Sequence, residues 1–163
     1  MSAEVFSFPN PVNEYAARST AGLVVVLAIV AIVVNHWALY LVLAIGFALR
    51  VLSGPTLSPF GQLSVRVIAP RFGPAKLVPG PPKRFAQTIG LTITTAAFIL
   101  SVLGFGLAAQ IVAALVVVAA LLESVVGFCL GCAIFGFLQR RGVIPDSVCE
   151  ACNNISLRQP AAS

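Results

Sequence analysis

All four cysteines of the chain fall into two Cys-x-x-Cys pairs, Cys129 with Cys132 and Cys149 with Cys152, with sixteen residues between the pairs. Cysteines scattered at random would rarely group this way, and two chemistries use the spacing. A dithiol can cycle through a disulfide or a persulfide, which makes Cys129, Cys132, Cys149 and Cys152 candidate catalytic redox thiols that need no cofactor. The same spacing also suits a tetrathiolate zinc site, in which the four would be metal ligands. Helical geometry puts Cys129 and Cys132 on one face. Gly142 can close that helix in a left-handed cap, and Pro145-Asp146-Ser147 can start a return segment, so all four sulfurs are expected to converge. Tetrathiolate zinc carries a net double negative charge that is costly beside lipid, and this tilts the choice toward redox use. Desolvation works the other way, raising a thiol pKa and dulling the nucleophile. The plain alternative, two small apolar packing residues, is the default for one cysteine and weaker for two matched pairs.

Glu123 is the second candidate, because an ionisable residue inside an apolar run is expensive and by default functional. At 100° per residue Glu123, Gly127 and Gly131 share one stripe of a continuous helix. Gly127 and Gly131 form G-x-x-x-G, which admits a close helix neighbour. The cysteines project elsewhere, so Glu123 is not expected to act as their base unless the glycines break the helix. A structural ion pair with Arg50 is the favoured role, and proton relay the sharper alternative.

The elements that must position these residues are membrane helices. The chain is 59% hydrophobic and 9% charged, where soluble domains carry about 25% charged residues. Spans of roughly 20 apolar residues fit at 15–34, 37–52, 85–103 and 107–128, with turns at Asn35-His36 and Gly104-Phe105-Gly106. The expected fold is therefore all-α, an integral membrane four-helix bundle of one domain, 1–163. A cytoplasmic loop covers 53–84, and a short helical C-terminal segment belongs to a cytoplasmic tail from about 139 to 163. The N-terminus has Glu4 and Glu14, no basic residue before Arg18, and no small-x-small cleavage site, so the first helix is expected to be kept.

With both termini in the cytoplasm every Lys and Arg lies at or near the inner face and the outer turns carry none, as the positive-inside rule asks. The expected location is the inner (plasma) membrane, multi-pass. The net charge of +5 is thereby accounted for by orientation. No aromatic-and-basic pattern points to nucleic acid, and the lipid bilayer is the expected surrounding. Within the loop, Ser58-Pro59 suits the start of an interfacial helix with Phe60, Leu63 and Val67 on one face, stopped by Pro70. His36 beside Trp37 reads as an interfacial anchor. Asn154-Ile155-Ser156 matches a glycosylation sequon without meaning in the cytoplasm, and there is no phosphate-binding glycine loop or Ser/His/Asp set.

Several motifs in order carry a resemblance: Gly54-Pro55-Thr56-Leu57-Ser58-Pro59-Phe60-Gly61, Gly80-Pro81-Pro82-Lys83-Arg84-Phe85-Ala86-Gln87, and Leu122-Glu123 with Gly127-Phe128-Cys129-Leu130-Gly131-Cys132. These resemble the bacterial membrane family called domain of unknown function 4395, and the likeness extends into Gly142-Val143-Ile144-Pro145 and Cys149-Glu150-Ala151-Cys152. Thr56 departs from the bulkier or basic residue expected there. The resemblance implies a small multi-span protein, often encoded near thioredoxin-like proteins and sulfurtransferases, and hence thiol or sulfur chemistry. The leading expectation is thiol-disulfide or sulfane-sulfur exchange with a soluble cytoplasmic thioredoxin-like protein or sulfurtransferase. The rival is a non-enzymatic membrane scaffold pinned by zinc. A small-molecule transporter fits less well, since the spans hold few polar residues. The sequence specifies no oligomeric state.

Overall fold

The computed structural model describes residues 8–149 and 152. Its long elements are α1 (Glu14–Val34) and α2 (Trp37–Ser53), followed by the short α3 (Pro59–Leu63). Then come α4 (Gly80–Val102), α5 (Gly106–Leu121) and α6 (Leu130–Arg140). Two-residue strands β1 (Val12–Asn13) and β2 (Leu77–Val78) pair antiparallel, Val12 opposite Val78, and tie the segment before α1 to the one before α4. Glu14 reinforces the tie through an ion pair with Lys76 at 2.8 Å.

The helix boundaries follow from local chemistry. Asn13 caps α1 by accepting from the Tyr15 backbone N–H, and Asn35 ends it in a left-handed conformation. His36 then caps α2, its Nδ1 accepting from the Ala38 N–H at 3.3 Å. The residue expected to anchor the interface is thus also a helix start. The helix α4 begins earlier than the expected 85, because Gly80-Pro81-Pro82 places proline at the first helical positions, where a missing N–H costs nothing. That shift moves Lys83 and Arg84 out of the loop and into the first turns of the helix.

Three segments, Glu14–Val34, Gly80–Val102 and Gly106–Val126, are long and apolar enough to cross a membrane, and the 17-residue α2 is a shorter apolar helix. Packing joins α1 to α2, α2 to α4, α4 to α5 and α5 back to α1. Small residues line the contacts: Ala28, Ala31, Ala97, Ala109 and Ala113 are fully or almost fully buried. They allow the close backbone approach that drives helix association where the hydrophobic effect does not. Large apolar side chains such as Val26, Val33, Leu107, Ile111 and Val118 face outward. That reverses the layout of a soluble bundle and suits lipid around it.

At one end of the helices Gln110 donates to the Ile32 carbonyl at 2.9 Å, and Tyr40 donates to Asn35 at 3.3 Å. The charged residues gather at the other end. The expected start of the loop helix holds, with Ser58 Oγ accepting from the Gly61 N–H at 3.3 Å. Its inward side is made of small residues, Gly61, Ser64 and Ala69, and leaves Leu63 and Val67 exposed. The small residues win the inner side because this segment lies tight against α1.

Candidate functional site

The fourth apolar run does not continue as one helix. α5 loosens into a π-helical turn over Leu122–Val126 and ends at Gly127, whose φ of 77° is left-handed. The Phe128 N–H closes the turn on the Leu122 carbonyl at 3.1 Å. Arg18 caps the same end, donating to the Ser124 carbonyl through Nε and Nη2 and to the Val125 carbonyl at 2.9 Å. A guanidinium suits the negative end of a helix dipole. The chain then runs extended through Cys129 and restarts as α6. The expected stripe of Glu123, Gly127 and Gly131 is therefore interrupted at its centre. Gly131 keeps the role expected of it in a different pairing: a Cβ there would meet the Ala86 Cα at 2.6 Å, so it is the point where α6 lies on α4.

The restart puts the first cysteine pair at a helix N-terminus. Cys129 is the N-cap of α6, and its Sγ accepts from the Cys132 backbone N–H at 3.3 Å. Both thiols are free and half-buried. The Cys132 thiol hydrogen-bonds to Cys129 and is the main influence holding the Cys129 thiol below the ordinary range; burial and the Glu123 charge oppose this, while Lys83 and the Cys132 N–H assist it. Donating that bond pushes the Cys132 thiol up, with burial and the Cys129 charge adding to the effect. The pair is thus asymmetric, with the more readily ionised sulfur on the cap and the less readily ionised one a turn along. Helix N-termini and neighbouring cations are the settings that activate thiols.

The ion pair expected between Glu123 and Arg50 is replaced by another. Glu123 Oε1 is 2.5 Å from Lys83 Nζ, with side chains 13% and 9% exposed. The early start of α4 explains the substitution, since it carries Lys83 onto the helix that faces Glu123. Arg50 stays within electrostatic reach of Glu123, but its Nε donates to Gln87 Oε1 at 3.0 Å and its guanidinium stacks 4.3 Å above the Phe47 ring. Arg50 Nη1 is buried and donates to nothing among the described residues. Sequence reasoning missed Lys83 and Gln87. The Gly-Pro-Pro start before them was the available signal.

The second cysteine pair lies elsewhere. Cys149 and Cys152 form a disulfide, with Cα atoms 5.4 Å apart. The Cys149 carbonyl accepts from Gln139 Nε2 at 3.4 Å, in the last turn of α6. Cys129 caps the first turn of that 11-residue helix, which is about 16 Å long at 1.5 Å per residue. The expected convergence of Cys129, Cys132, Cys149 and Cys152 is thus corrected: Gly142, at φ 74°, does reverse the chain, but only back onto Gln139. Among the described residues no three His, Cys, Asp or Glu side chains group closely enough to hold a metal, so the four-thiolate set of the zinc alternative is not assembled. The Asn154-Ile155-Ser156 sequon and the remaining tail lie outside the described residues.

The family described as Domain of unknown function (DUF4395) matches residues 12–140. The chain belongs to that family. The match takes in Arg50, Lys83, Glu123 and the first cysteine pair. It ends before Gly142 and before Cys149 and Cys152, short of the fuller likeness expected from the sequence. No curated protein and no solved structure gives a match.

Proposed function

We propose that this member of the DUF4395 family is a four-helix protein of the inner membrane, with both termini cytoplasmic. On this reading Cys129 and Cys132 exchange disulfide or sulfane sulfur with a soluble thioredoxin-like or sulfurtransferase partner. Membrane placement is supported by three span-length apolar helices and their outward-facing large apolar side chains. The orientation rests on Arg18, Lys76, Lys83 and Arg84 clustering at one end while the turns at Asn35-His36 and Gly104–Gly106 carry no cation. The observation that carries the chemistry is the Cys129 sulfur on the N-cap of α6, held by the Cys132 N–H and flanked by Lys83.

In the disulfide version, the Cys129 thiolate attacks a partner disulfide. A mixed disulfide forms and one partner thiolate leaves. That thiolate takes the Cys132 proton, and Cys132 then attacks Cys129, closing the internal disulfide and expelling the second partner thiolate. The lowered Cys129 thiol and the raised Cys132 thiol suit the order of these steps, since the attacking sulfur ionises more readily than the resolving one.

Replacing Cys132 by Ser removes the resolving step and leaves the attacking one. The variant is expected to accumulate a mixed disulfide with thioredoxin-like partners in membranes, and Cys129→Ser is expected to accumulate none. Equal trapping by both variants, or by neither, refutes the exchange reading.

A further inference from the structure

Beside Cys129 lies a cavity of about 400 Å³ lined by α1, α2, α4, α5 and α6. It falls within the ~300–1,000 Å³ range of small-molecule sites. Most of its wall is aliphatic, from residues such as Val24, Ile93, Leu115 and Ala119. Its polar groups are few: Thr20, Arg50, Gln87, Glu123 and Cys129. Arg50 is 4% exposed, and its Nη1 is a buried donor without an acceptor among the described residues. An unmet guanidinium N–H in an apolar setting is expensive, and a native fold that keeps one usually supplies an acceptor from outside the chain.

The charges around the cavity narrow what that acceptor is. Lys83 is already ion-paired with Glu123, whose carboxylate is on the cavity wall. An anionic ligand would sit beside that carboxylate. A neutral carbonyl oxygen on an apolar body meets Arg50 Nη1 without that penalty. Cys129 is on its wall and Cys132 lies one turn along α6, bonded through its N–H to the Cys129 sulfur; a two-electron acceptor is the complement of such a dithiol.

We propose that this cavity binds the ring of a lipid-soluble quinone, with Arg50 donating to a ring carbonyl and the Cys129–Cys132 dithiol as the electron donor. The inference rests on the redox reading of that dithiol and names its membrane-side acceptor. The Cys129 thiolate adds to a ring carbon, forming a C–S bond and placing the electron pair on the carbonyl oxygen held by Arg50, where preorganised donors stabilise developing charge. Cys132 loses its proton to the ring and attacks the Cys129 sulfur. The S–S bond forms, the C–S bond breaks, and its electron pair stays with the ring. With one further proton from water the products are the Cys129–Cys132 disulfide and a hydroquinone, so two thiol sulfurs are oxidised for each quinone reduced.

The probe is a benzoquinone with a decyl tail, added to the full chain in lipid nanodiscs. The Cys129→Ser/Cys132→Ser protein reports binding without turnover, by calorimetry. Saturable binding is expected, weakened at least tenfold by Arg50→Lys, which keeps the charge but loses the planar fork that serves Gln87 and the ligand from two different nitrogens, and by Ala119→Phe, which fills the cavity. Thermal unfolding checks that both variants are folded. With the native cysteines and under anaerobic conditions, one quinone should be reduced for every two thiols lost. Absence of saturable binding, or binding indifferent to both substitutions, overturns the inference. So does bound quinone that leaves the thiols reduced while they still react with a small aromatic disulfide. If the thiols fail with that disulfide as well, the exchange reading falls together with the electron transfer.

Discussion

Removing Lys83 tests whether the buried ion pair organises the dithiol. The side chains of Lys83 and Glu123 are 9% and 13% exposed, so Lys83→Met leaves a carboxylate without its cation inside the helix packing. Breaking a buried pair from one side typically costs about 3–5 kcal/mol. The expected loss for Lys83→Met is of that size. Lys83→Met/Glu123→Leu should recover most of the loss, since apolar replacements of similar volume remove both desolvation terms together.

The same variants move the thiol in a defined order. Lys83 favours the Cys129 thiolate and Glu123 disfavours it, with the Glu123 influence the larger. Lys83→Met should raise the midpoint of Cys129 alkylation against pH, and the double variant should return it to the parent value or below. Unfolding in mixed detergent micelles gives the energies, and alkylation under the same conditions gives the midpoints. A single-variant loss below about 1 kcal/mol, the range of exposed pairs, would refute the buried placement. An unmoved midpoint would refute the link from the pair to the sulfur.

In the parent protein, Cys129 alkylation should rise with pH about a midpoint below the ordinary thiol value of ~8.5, with Cys132 reacting only at higher pH; rate profiles of Cys129→Ser and Cys132→Ser separate the two. Gly131→Leu should destabilise the protein by about 1–3 kcal/mol or more, because a Cβ already meets Ala86 Cα at 2.6 Å; it should also speed Cys129 alkylation by lifting α6 from α4, and thermal unfolding with alkylation rates checks both. Gly127→Val should cost about 1–2 kcal/mol for its left-handed φ and Gly127→Asn less, again by thermal unfolding.

The helix ends were legible where capping chemistry is local. α1 and α2 fall within one or two residues of the spans read from apolar runs, because Asn35-His36 provides both the stop and the next cap. Gly142 was also legible as the end of α6. The start of α4 was misread because basic residues beside prolines resemble a loop, although Pro81 and Pro82 are tolerated in a helical first turn. That error hid the true partner of Glu123. The break at Gly127 was harder still. Leu107 to Leu138 is almost uniformly apolar, and uniform hydrophobicity gives no periodic signal of where one helix ends and another begins. Reading G-x-x-x-G as a packing stripe concealed that its first glycine is a left-handed stop. The antiparallel pairing of β1 with β2 left no mark, since two residues per strand are too few for an alternating pattern.

The break at Gly127 is the feature from which the site follows. On a continuous helix, Cys129 would have its backbone N–H committed to the preceding turn and its sulfur turned away from Glu123. Ending α5 at Gly127 frees the next residues to start a new helix. Cys129 then occupies an N-cap, where its sulfur accepts the Cys132 N–H and meets the positive end of the α6 dipole. The same restart sends α6 along α4 and fixes Gly131 on Ala86, which keeps the sulfur within electrostatic reach of Lys83. It also explains the separation of the two cysteine pairs. The disulfide Cys149–Cys152 sits at the Gln139 end of α6, about 16 Å of helix away, whereas sulfur exchange requires sulfur-to-sulfur contact. The two pairs therefore cannot pass a disulfide directly while α6 stays in place. On the proposed reading, electrons from Cys129 and Cys132 therefore have two outlets, a soluble partner and the apolar cavity, and mixed-disulfide trapping and quinone reduction distinguish them.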